Sequence, residues 1–408
     1  MSRNALPADP AGLERWRSYS DEVKKAAYGN WEVIMSALAG PHLQPALTNF
    51  AKHVPCPRHG GTDGFRLYND FRLTGGAVCN SCGPMPDGWA VLKWLYGWSY
   101  AECLRAVGDV VGVRHPSDRT AAPIAPKVKL VPPPPAESPA QIARKNEAKA
   151  QRLTEAWSSS LPLSHPDAEP ARLYLANRGL VNLVGPLEDL RYHPAMPYYE
   201  NNIKHGDFPA LLCLLRQPSG EPLTLQRIFL TPDGHKPDLE HPKKMMPYRT
   251  TSQYGGSAVR LDHAVGTVLC VTEGVETGLA WRAMAGLPTW ATCVAGLMEE
   301  LVVPDSVRIV IACGDLDPAS IGHDYGRGYS AAHTLVARVR ESGRLGAAFL
   351  PPYTLEPNAV SGVDWNDVLN HHGLEQARGE PFVVNVRNQI AQMLERMGMG
   401  WQSALSHY

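Results

Sequence analysis

The stretch VLCVTEGVETGLA at residues 268–280, answered by VRIVIACGDLDPA at 307–319, decides the fold. Each opens as a short, continuous apolar run, the mark of a strand buried on both faces of a parallel sheet. Each run then stops at acid: Glu273 followed by Gly274 in the first, Asp315 and Asp317 in the second. In a parallel α/β sheet, neighbouring strands deliver such residues to the same carboxyl edge, where ligands bind. Asp315 and Asp317 are two residues apart, so both face one side while the segment stays extended. A donor set made only of carboxylates, with no Cys or His, selects Mg²⁺ or Mn²⁺ over zinc. Gly274 permits a tight turn and the close approach of a phosphate. Glu276, one helical turn further on, is expected to cap the helix or stand in solvent. A third acidic group, VDWNDVL, reads as a helix start with Asp364 as N-cap and Asp367 in the first turn. At the same sheet edge, Asp364 also becomes a further ligand for the cation.

Working outward, strands and helices alternate. TVLCVT, TWATCV, VRIVIAC and AAFL read as strands, with helices at VETGLAWRAMAG and Tyr329–Ser342 between them. That order predicts a doubly wound, Rossmann-like sheet. Upstream, ALLCLLRQ and LTLQRIFL are strand-like runs joined through PSGEP, a hairpin signal. ARLYLANRGL reads as a helix stopped at Gly179, and VRNQIAQMLERMGM as an amphipathic helix docked on its own domain.

Near the other end, CPRH (Cys56, His59) and CNSC (Cys79, Cys82) form two ligand pairs flanking a Gly-rich stretch that fits a hairpin. Four such ligands on two knuckles close a tetrahedral shell around one structural zinc and leave no open position for catalysis. Arg58, Arg66 and Arg72 alternate there with Phe65, Tyr68 and Phe71. Cations interleaved with aromatics suit single-stranded nucleic acid, and the competing reading is that the rings simply fill a small core. DEVKKAAYGNWEVIMSALAG reads as one or two short helices; DGWAVLKWLYG and SYAECLRAVGDVVGV add two more, capped by Asp87 and Ser99 and separated at Gly97.

The remaining features bound the function. The 408 residues are 44% hydrophobic and 19% charged, with a net charge of −1, so any nucleic-acid contact must use a local basic surface. No apolar run is long enough to cross a bilayer, and the polar start MSRNALPADPAGLERWR lacks a signal peptide's apolar core. Five further Cys (103, 213, 270, 293, 313) lie in apolar segments, which fits a reducing cytoplasm rather than a disulfide framework. Residues 115–140, with APIAPKVKLVPPPPAESPA, read as a semi-rigid Pro-rich linker. A charged helix, AQIARKNEAKAQRLTEAWSSS, follows it and reads as solvated surface.

Together these motifs resemble the TOPRIM-type primases with an N-terminal zinc ribbon, in particular the phage P4-type and conjugative-plasmid enzymes. CPRH…CNSC with DGWAVLKWLYGWS is similar to their zinc module. YLANRGL, LRYHP, FPALLCLLR, GEPLTLQRIFLTPDGHK and KKMM are similar to the basic subdomain before TOPRIM. TEGVETGLA, GDLD and DWNDVL are similar to the TOPRIM motifs. The resemblance implies an α/β multidomain chain. A zinc-ribbon module spans 1–114, a linker 115–140, a basic α+β subdomain 141–262, TOPRIM 263–372 and a helical tail 373–408. It further implies template-directed primer synthesis on single-stranded DNA from ribonucleoside triphosphates. Glu273, Asp315 and Asp317 would be catalytic, with magnesium (or manganese) held by these three and Asp364. Arg66, Arg72, Arg227, Lys236, Lys243 and Lys244 would face nucleic acid or nucleotide, and the zinc module would help select the start site. The chain departs from the P4 pattern in lacking any G-x4-G-K-[ST] loop, which points to a separate helicase as partner. The Gly-rich stretch usual after the second TOPRIM strand is reduced to Ala295–Leu297. A nuclease-like TOPRIM enzyme and a non-catalytic DNA-binding accessory are the alternatives.

Overall fold

The computed structural model describes residues 10–401 except 51, 80–81, 119–124, 132–137, 182–185, 201–202, 250–251, 319–325, 357–358 and 360. Of residues 10–13 it describes the backbone alone. The chain divides into two compact units, 1–138 and 139–408.

In the first unit, helices α1 (Pro10–Ala27) and α2 (Trp31–Thr48) precede strands β1 (Val54–Cys56) and β2 (Gly60–Leu67). A turn of helix α3 (Phe71–Thr74), strands β3 (Ala77–Cys79) and β4 (Gly83–Met85), and helices α4 (Gly88–Tyr96) and α5 (Tyr100–Val111) complete it. The two opening helices are 18 residues each, longer than the sequence pattern suggests. Pro41 and Pro45 lie within α2, which is kinked at Ala39, just ahead of the first of them. The four strands form an antiparallel sheet in the order β1-β2-β3-β4. Asp87 and Ser99 cap α4 and α5 through their side chains, the latter in a capping box with Glu102. Phe65 and Phe71 are fully buried in this unit's core. The interleaved aromatics therefore fill the core, except Tyr68, which is partly exposed. The described part of the Pro-rich segment is docked rather than loose. Lys127 donates its amide to Val110 (2.8 Å), Val131 and Asn30 bond reciprocally (2.8 and 3.0 Å), and Val128 and Leu130 pack on the core. Residues 119–124 and 132–137 of that segment lie outside the described residues.

The second unit opens with helix α6 (Pro139–Ser158), strand β5 (Leu161–Pro162), helix α7 (Glu169–Asn177) and strands β6 (Leu190–Glu200), β7 (Ile203–Arg216), β8 (Pro222–Phe229), β9 (Lys243–Met245) and β10 (Ala258–Arg260). The alternating part follows: β11 (Val268–Thr272), α8 (Val275–Ala285), β12 (Thr289–Ala291), α9 (Ala295–Glu300), β13 (Ile309–Cys313), α10 (Arg327–Glu341) and β14 (Leu345–Phe349). It ends in α11 (Trp365–His372), α12 (Leu374–Gly379) and α13 (Pro381–Arg396). Strands β14, β13, β11 and β12 are parallel neighbours in that order. The sheet does not stop there: β10 joins β12 antiparallel and β7 joins β10, carrying one ten-stranded sheet through to β6 and β5. The doubly wound, parallel part is thus four strands of a ten-stranded mixed sheet.

Alternation along the parallel strands builds two cores. Val268, Cys270, Ile309, Ile311 and Cys313 face the layer of α8, α11 and α13, while Leu269, Val271, Val310 and Ala312 face α9 and α10. Both faces being covered explains the unbroken apolar runs of the sequence.

Candidate active site

The carboxyl ends of β11 and β13 lie side by side, with Thr272 opposite Cys313. The chain leaves each strand directly into acid, Glu273 from one and Gly314-Asp315 from the other. Asp364 is brought to the same place by a short antiparallel bridge in which Leu316 and Val363 exchange both backbone hydrogen bonds at 2.9 Å. Counting outward from that pair sets Asp315 across from Asp364 and Asp317 across from Gly362. Period-two alternation then puts Asp315, Asp317 and Asp364 on one face of the bridge. Trp365 pins the arrangement from behind by donating Nε1–H to the Gly314 carbonyl (3.1 Å).

Asp317 accepts the Gly328 amide (2.9 Å) in the first turn of α10, a favourable seat for an anion at a helix N-terminus. Only glycine fits at residue 328, since a Cβ there would lie 2.4 Å from the Asp315 carbonyl oxygen. Asp364 caps α11, accepting the amides of Asn366 (2.7 Å) and Asp367 (2.9 Å).

Asp315 has no such support. Its Oδ1 is buried and accepts no hydrogen bond. Burial, then the negative charges of Glu273, Asp364 and Asp317, push its carboxyl well above the ordinary carboxylate range, with Lys243 acting in the opposite sense. Asp364 is likewise raised by burial and by Asp367, against the pull of the capping amides. An orphaned, buried carboxylate oxygen among three other acids is the donor set a hard divalent cation satisfies. The residues therefore fit magnesium. Among the described residues, no three of these acids bring their oxygens within 4.8 Å of one another, so the set is gathered but open.

Beside the acids lies a group of cations that the sequence places only in part. Glu276, expected as a cap or in solvent, is instead 3% exposed. Its Oε1 accepts from Tyr174 Oη (2.5 Å) and pairs with Lys243 Nζ (2.7 Å). Burial alone would raise its carboxyl; Lys243 and Tyr174 reverse that and hold it well below the usual range. Arg178, at the end of α7, stacks over Tyr174 (5.5 Å), and its carbonyl accepts Asn366 Nδ2 of α11 (2.8 Å). Burial, then the charge of Lys243, push the Lys236 amine down to about 8; Arg178 acts in the same sense, and Glu276 and Asp364 oppose it. Tyr174, Arg178 and Glu276 had no sequence signal of their own beyond the motifs YLANRGL and TEGVETGLA.

The other expected cations sit differently. Lys244, adjacent to Lys243 on a strand, points to the opposite face, where Nζ meets Glu200 Oε2 (2.7 Å) and the Tyr199 carbonyl (2.7 Å). Arg227 is partly buried over Phe229 (5.4 Å), and burial lowers it to about 10. In the first unit, Arg72 is exposed and pairs with Glu32 (2.5 Å), and Arg66 lies over Tyr68 (5.8 Å).

The zinc ligands meet in the same unit. Central strands β2 and β3 pair Phe65 with Cys79, which sets the β1–β2 knuckle carrying Cys56 and His59 against the knuckle carrying Cys79 and Cys82. The four ligand atoms lie within 4.8 Å of one another, with His59 Nε2 3.1 Å from Cys79 Sγ. Ligands about 2.3 Å from a tetrahedral zinc ion stand about 3.8 Å apart, so three thiols and one imidazole fit the ion. Hydrogen bonds from the Cys79 and Cys82 thiols and the amides of Arg58 and His59 pull the Cys56 thiol down toward thiolate, against its burial.

Three family models match the chain: "Zinc-binding domain of primase-helicase" over 51–89, "Domain of unknown function (DUF7146)" over 147–261, and "Toprim domain" over 268–375. Among solved structures, a DnaG primase catalytic domain bound to single-stranded DNA is similar at 17% identity and a TM-score of 0.40, over 57% of this chain and 77% of that one. The Aquifex aeolicus primase with its zinc-binding and RNA polymerase domains is similar at 13% and 0.40, over 90% and 85%. The primase fragment of the bacteriophage T7 primase-helicase is similar at 13% and 0.31, over 80% and 97%. Likeness at this distance adds nothing on chemistry; the matched segments and the side chains carry that.

Proposed function

We propose that this chain, which joins a zinc ribbon of the primase-helicase kind to a Toprim domain, is a DNA primase that builds short RNA primers on single-stranded DNA. The observation that carries the reading is the buried, unpartnered Asp315 oxygen among Glu273, Asp317 and Asp364, with Arg178, Lys236 and Lys243 alongside. Nucleotidyl transfer needs acids for a divalent cation and positive charge for a polyphosphate within reach of one another. Asp315, Asp317 and Asp364 would hold the cation, which would supply charge neutralisation for the triphosphate. Asp317 is fixed for that task by the Gly328 amide, and Asp364 by its capping bonds. Glu273 either completes the shell or takes the proton of the attacking 3′-hydroxyl. Glu273→Gln separates these roles: a lost ligand weakens metal binding, and a lost base spares it while removing the acidic limb of the pH–rate profile.

The zinc ribbon, with Arg66 and Arg72, is assigned to template and start-site contact. Unwinding falls to a separate helicase, because these 408 residues contain no phosphate-binding loop of the G-x4-G-K-[ST] kind. A phage, plasmid or integrated element is the replicon that such a primase suits. The test is incubation with single-stranded DNA of varied sequence, Mg²⁺ and labelled ribonucleotides. Template-dependent oligomers support the proposal; Mg²⁺-dependent nicking of DNA without nucleotides, and no oligomers, overturns it in favour of a nuclease.

A further inference from the structure

The edge of the parallel sheet opposite the acids holds a cavity of about 530 Å³, with Arg260, His263, Val265, Trp290, Val302 and Pro304 in its wall. Val265 and Pro304 lie in the loops that lead into β11 and β13. Strand β10 runs antiparallel to β12, with Arg260 opposite Trp290. The cavity therefore sits at the amino ends of strands whose carboxyl ends deliver Glu273 and Asp315, with about 15 Å of strand between the two edges. A small molecule bound at one edge does not touch the other.

Charge in this region is unbalanced. Asp189 is fully buried, and its carboxylate is filled. Arg216 grips it through Nη2 (2.8 Å) and Nε (2.9 and 3.1 Å), His263 Nε2 stands 3.2 Å away, and the Arg260 amide donates at 3.2 Å. That leaves the Arg260 guanidinium without an ion pair among the described residues. It lies over the Trp290 ring (4.8 Å) and donates only through Nη2, to the carbonyls of Gln217 (3.2 Å) and Pro218 (3.5 Å). The ring and the two carbonyls fix the group, and Nε and Nη1 stay unused. Exposed Glu188 stands 3.9 Å from His263 and exposed Asp305 pairs with Arg344 (3.4 Å), so neither neutralises Arg260. Val265, Pro304 and Val302, which is 43% exposed, make the apolar side of the cavity. An immobilised, unpaired guanidinium beside an apolar slot suits a ligand with one anionic end and one flat apolar body.

We propose that this cavity is a second, non-catalytic site for a phosphate ester that carries a flat ring, with the phosphate at Arg260 and His263 and the ring against Val265, Val302 and Pro304. The nearest member of that class for this chain is a nucleoside monophosphate, an identification that rests on the nucleotidyl-transfer reading. Isothermal titration calorimetry compares AMP, adenosine, inorganic phosphate and a short oligo(dT) on the wild type, Arg260→Met, Ser306→Asp and Ser306→Lys. No divalent cation is added, so the acids offer a nucleotide no bridging metal. Ser306 is an exposed residue of the cavity wall, and its variants change the charge there without touching the core. AMP is expected to bind, and adenosine and phosphate, each with half of the features, to bind more weakly. A charge-assisted contact corresponds to roughly 10–100-fold in affinity, and Arg260→Met is expected to lose that much for AMP. Ser306→Asp is expected to weaken AMP binding several-fold and Ser306→Lys to strengthen it, both at an unchanged melting temperature. That pair separates charge from folding should Arg260→Met melt lower. The proposal is overturned by a wild-type chain that does not bind AMP, by AMP affinity that ignores all three substitutions, or by phosphate that binds as tightly as AMP. Oligo(dT) that binds through Arg260 where AMP does not overturns it too, in favour of a track for a strand. Primers made by a chain that binds no AMP sink this site and leave the synthesis reading; Arg260-dependent AMP binding by a chain that makes no primers does the reverse.

Discussion

Asp315→Asn should stabilise the metal-free protein and cost it its response to magnesium. The native Asp315 oxygen is buried without a donor, amid Glu273, Asp364 and Asp317. Leaving a buried polar group unsatisfied costs about 1–3 kcal/mol, and more for a charge. Asparagine keeps the shape, removes the repulsion and supplies an N–H that its acidic neighbours accept. In EDTA the variant should therefore gain about 1–3 kcal/mol. For the second unit, the 270 residues 139–408, that is roughly 2–10 °C in melting temperature. With Mg²⁺ at a hundred times its dissociation constant, the wild type should gain about 2.7 kcal/mol, and the variant little. The order of melting then reverses between EDTA and Mg²⁺. The pH dependence carries the same sign. A carboxyl raised in the folded state stabilises fully below its unfolded pKa, and that contribution is lost as pH rises through the folded value. Wild-type protein in EDTA should thus lose stability as pH rises above about 4, with this component absent from the variant. Scanning calorimetry in EDTA and in Mg²⁺ over several pH values checks both. A variant that melts at or below the wild type in EDTA, or that gains equally from Mg²⁺, refutes the reasoning.

Gly328→Ala replaces a glycine inside a helix with the better helix former, a change worth about 1 kcal/mol in favour of alanine at an open position. Here it should destabilise, because the new Cβ would lie 2.4 Å from the Asp315 carbonyl oxygen and 2.7 Å from its nitrogen; urea unfolding gives the sign. Asp262→Ala should cost about 3–5 kcal/mol, since it removes the carboxylate that holds buried Arg282 at 2.7 and 2.8 Å and accepts the Thr289 amide (2.9 Å); the same unfolding curves measure it. Cys82→Ser should lower bound zinc well below one equivalent per chain by elemental analysis. It should also unfold the 51–89 ribbon while the melting of the second unit holds, because zinc binding supplies much of such a ribbon's folding energy.

What the sequence disclosed and what it hid divide along a physical line. The parallel strands announce themselves because burial on both faces demands unbroken apolar runs, and the acids stand out because they interrupt those runs at strand ends. The zinc ligands are similarly legible: a closed tetrahedral shell constrains spacing as well as residue type. Strand β6 was not legible. LRYHPAMPYYE contains two prolines, and the segment is a strand only because it lies along β7 with shifts of register at His193–Met196 and Tyr198–Tyr199. Pairing supplied from outside the segment overrides its own propensity. Glu276 misled for a related reason. A glutamate in the first turn of a helix ordinarily faces water, and what buries this one is a tyrosine 102 residues away and a lysine from a three-residue strand. The adjacent Lys243 and Lys244 look like one basic patch in the sequence, yet period-two alternation sends one to Glu276 and the other to Glu200. Local pattern thus finds groups whose chemistry is set by their own strand. It is blind to groups whose charge is cancelled by a partner far along the chain.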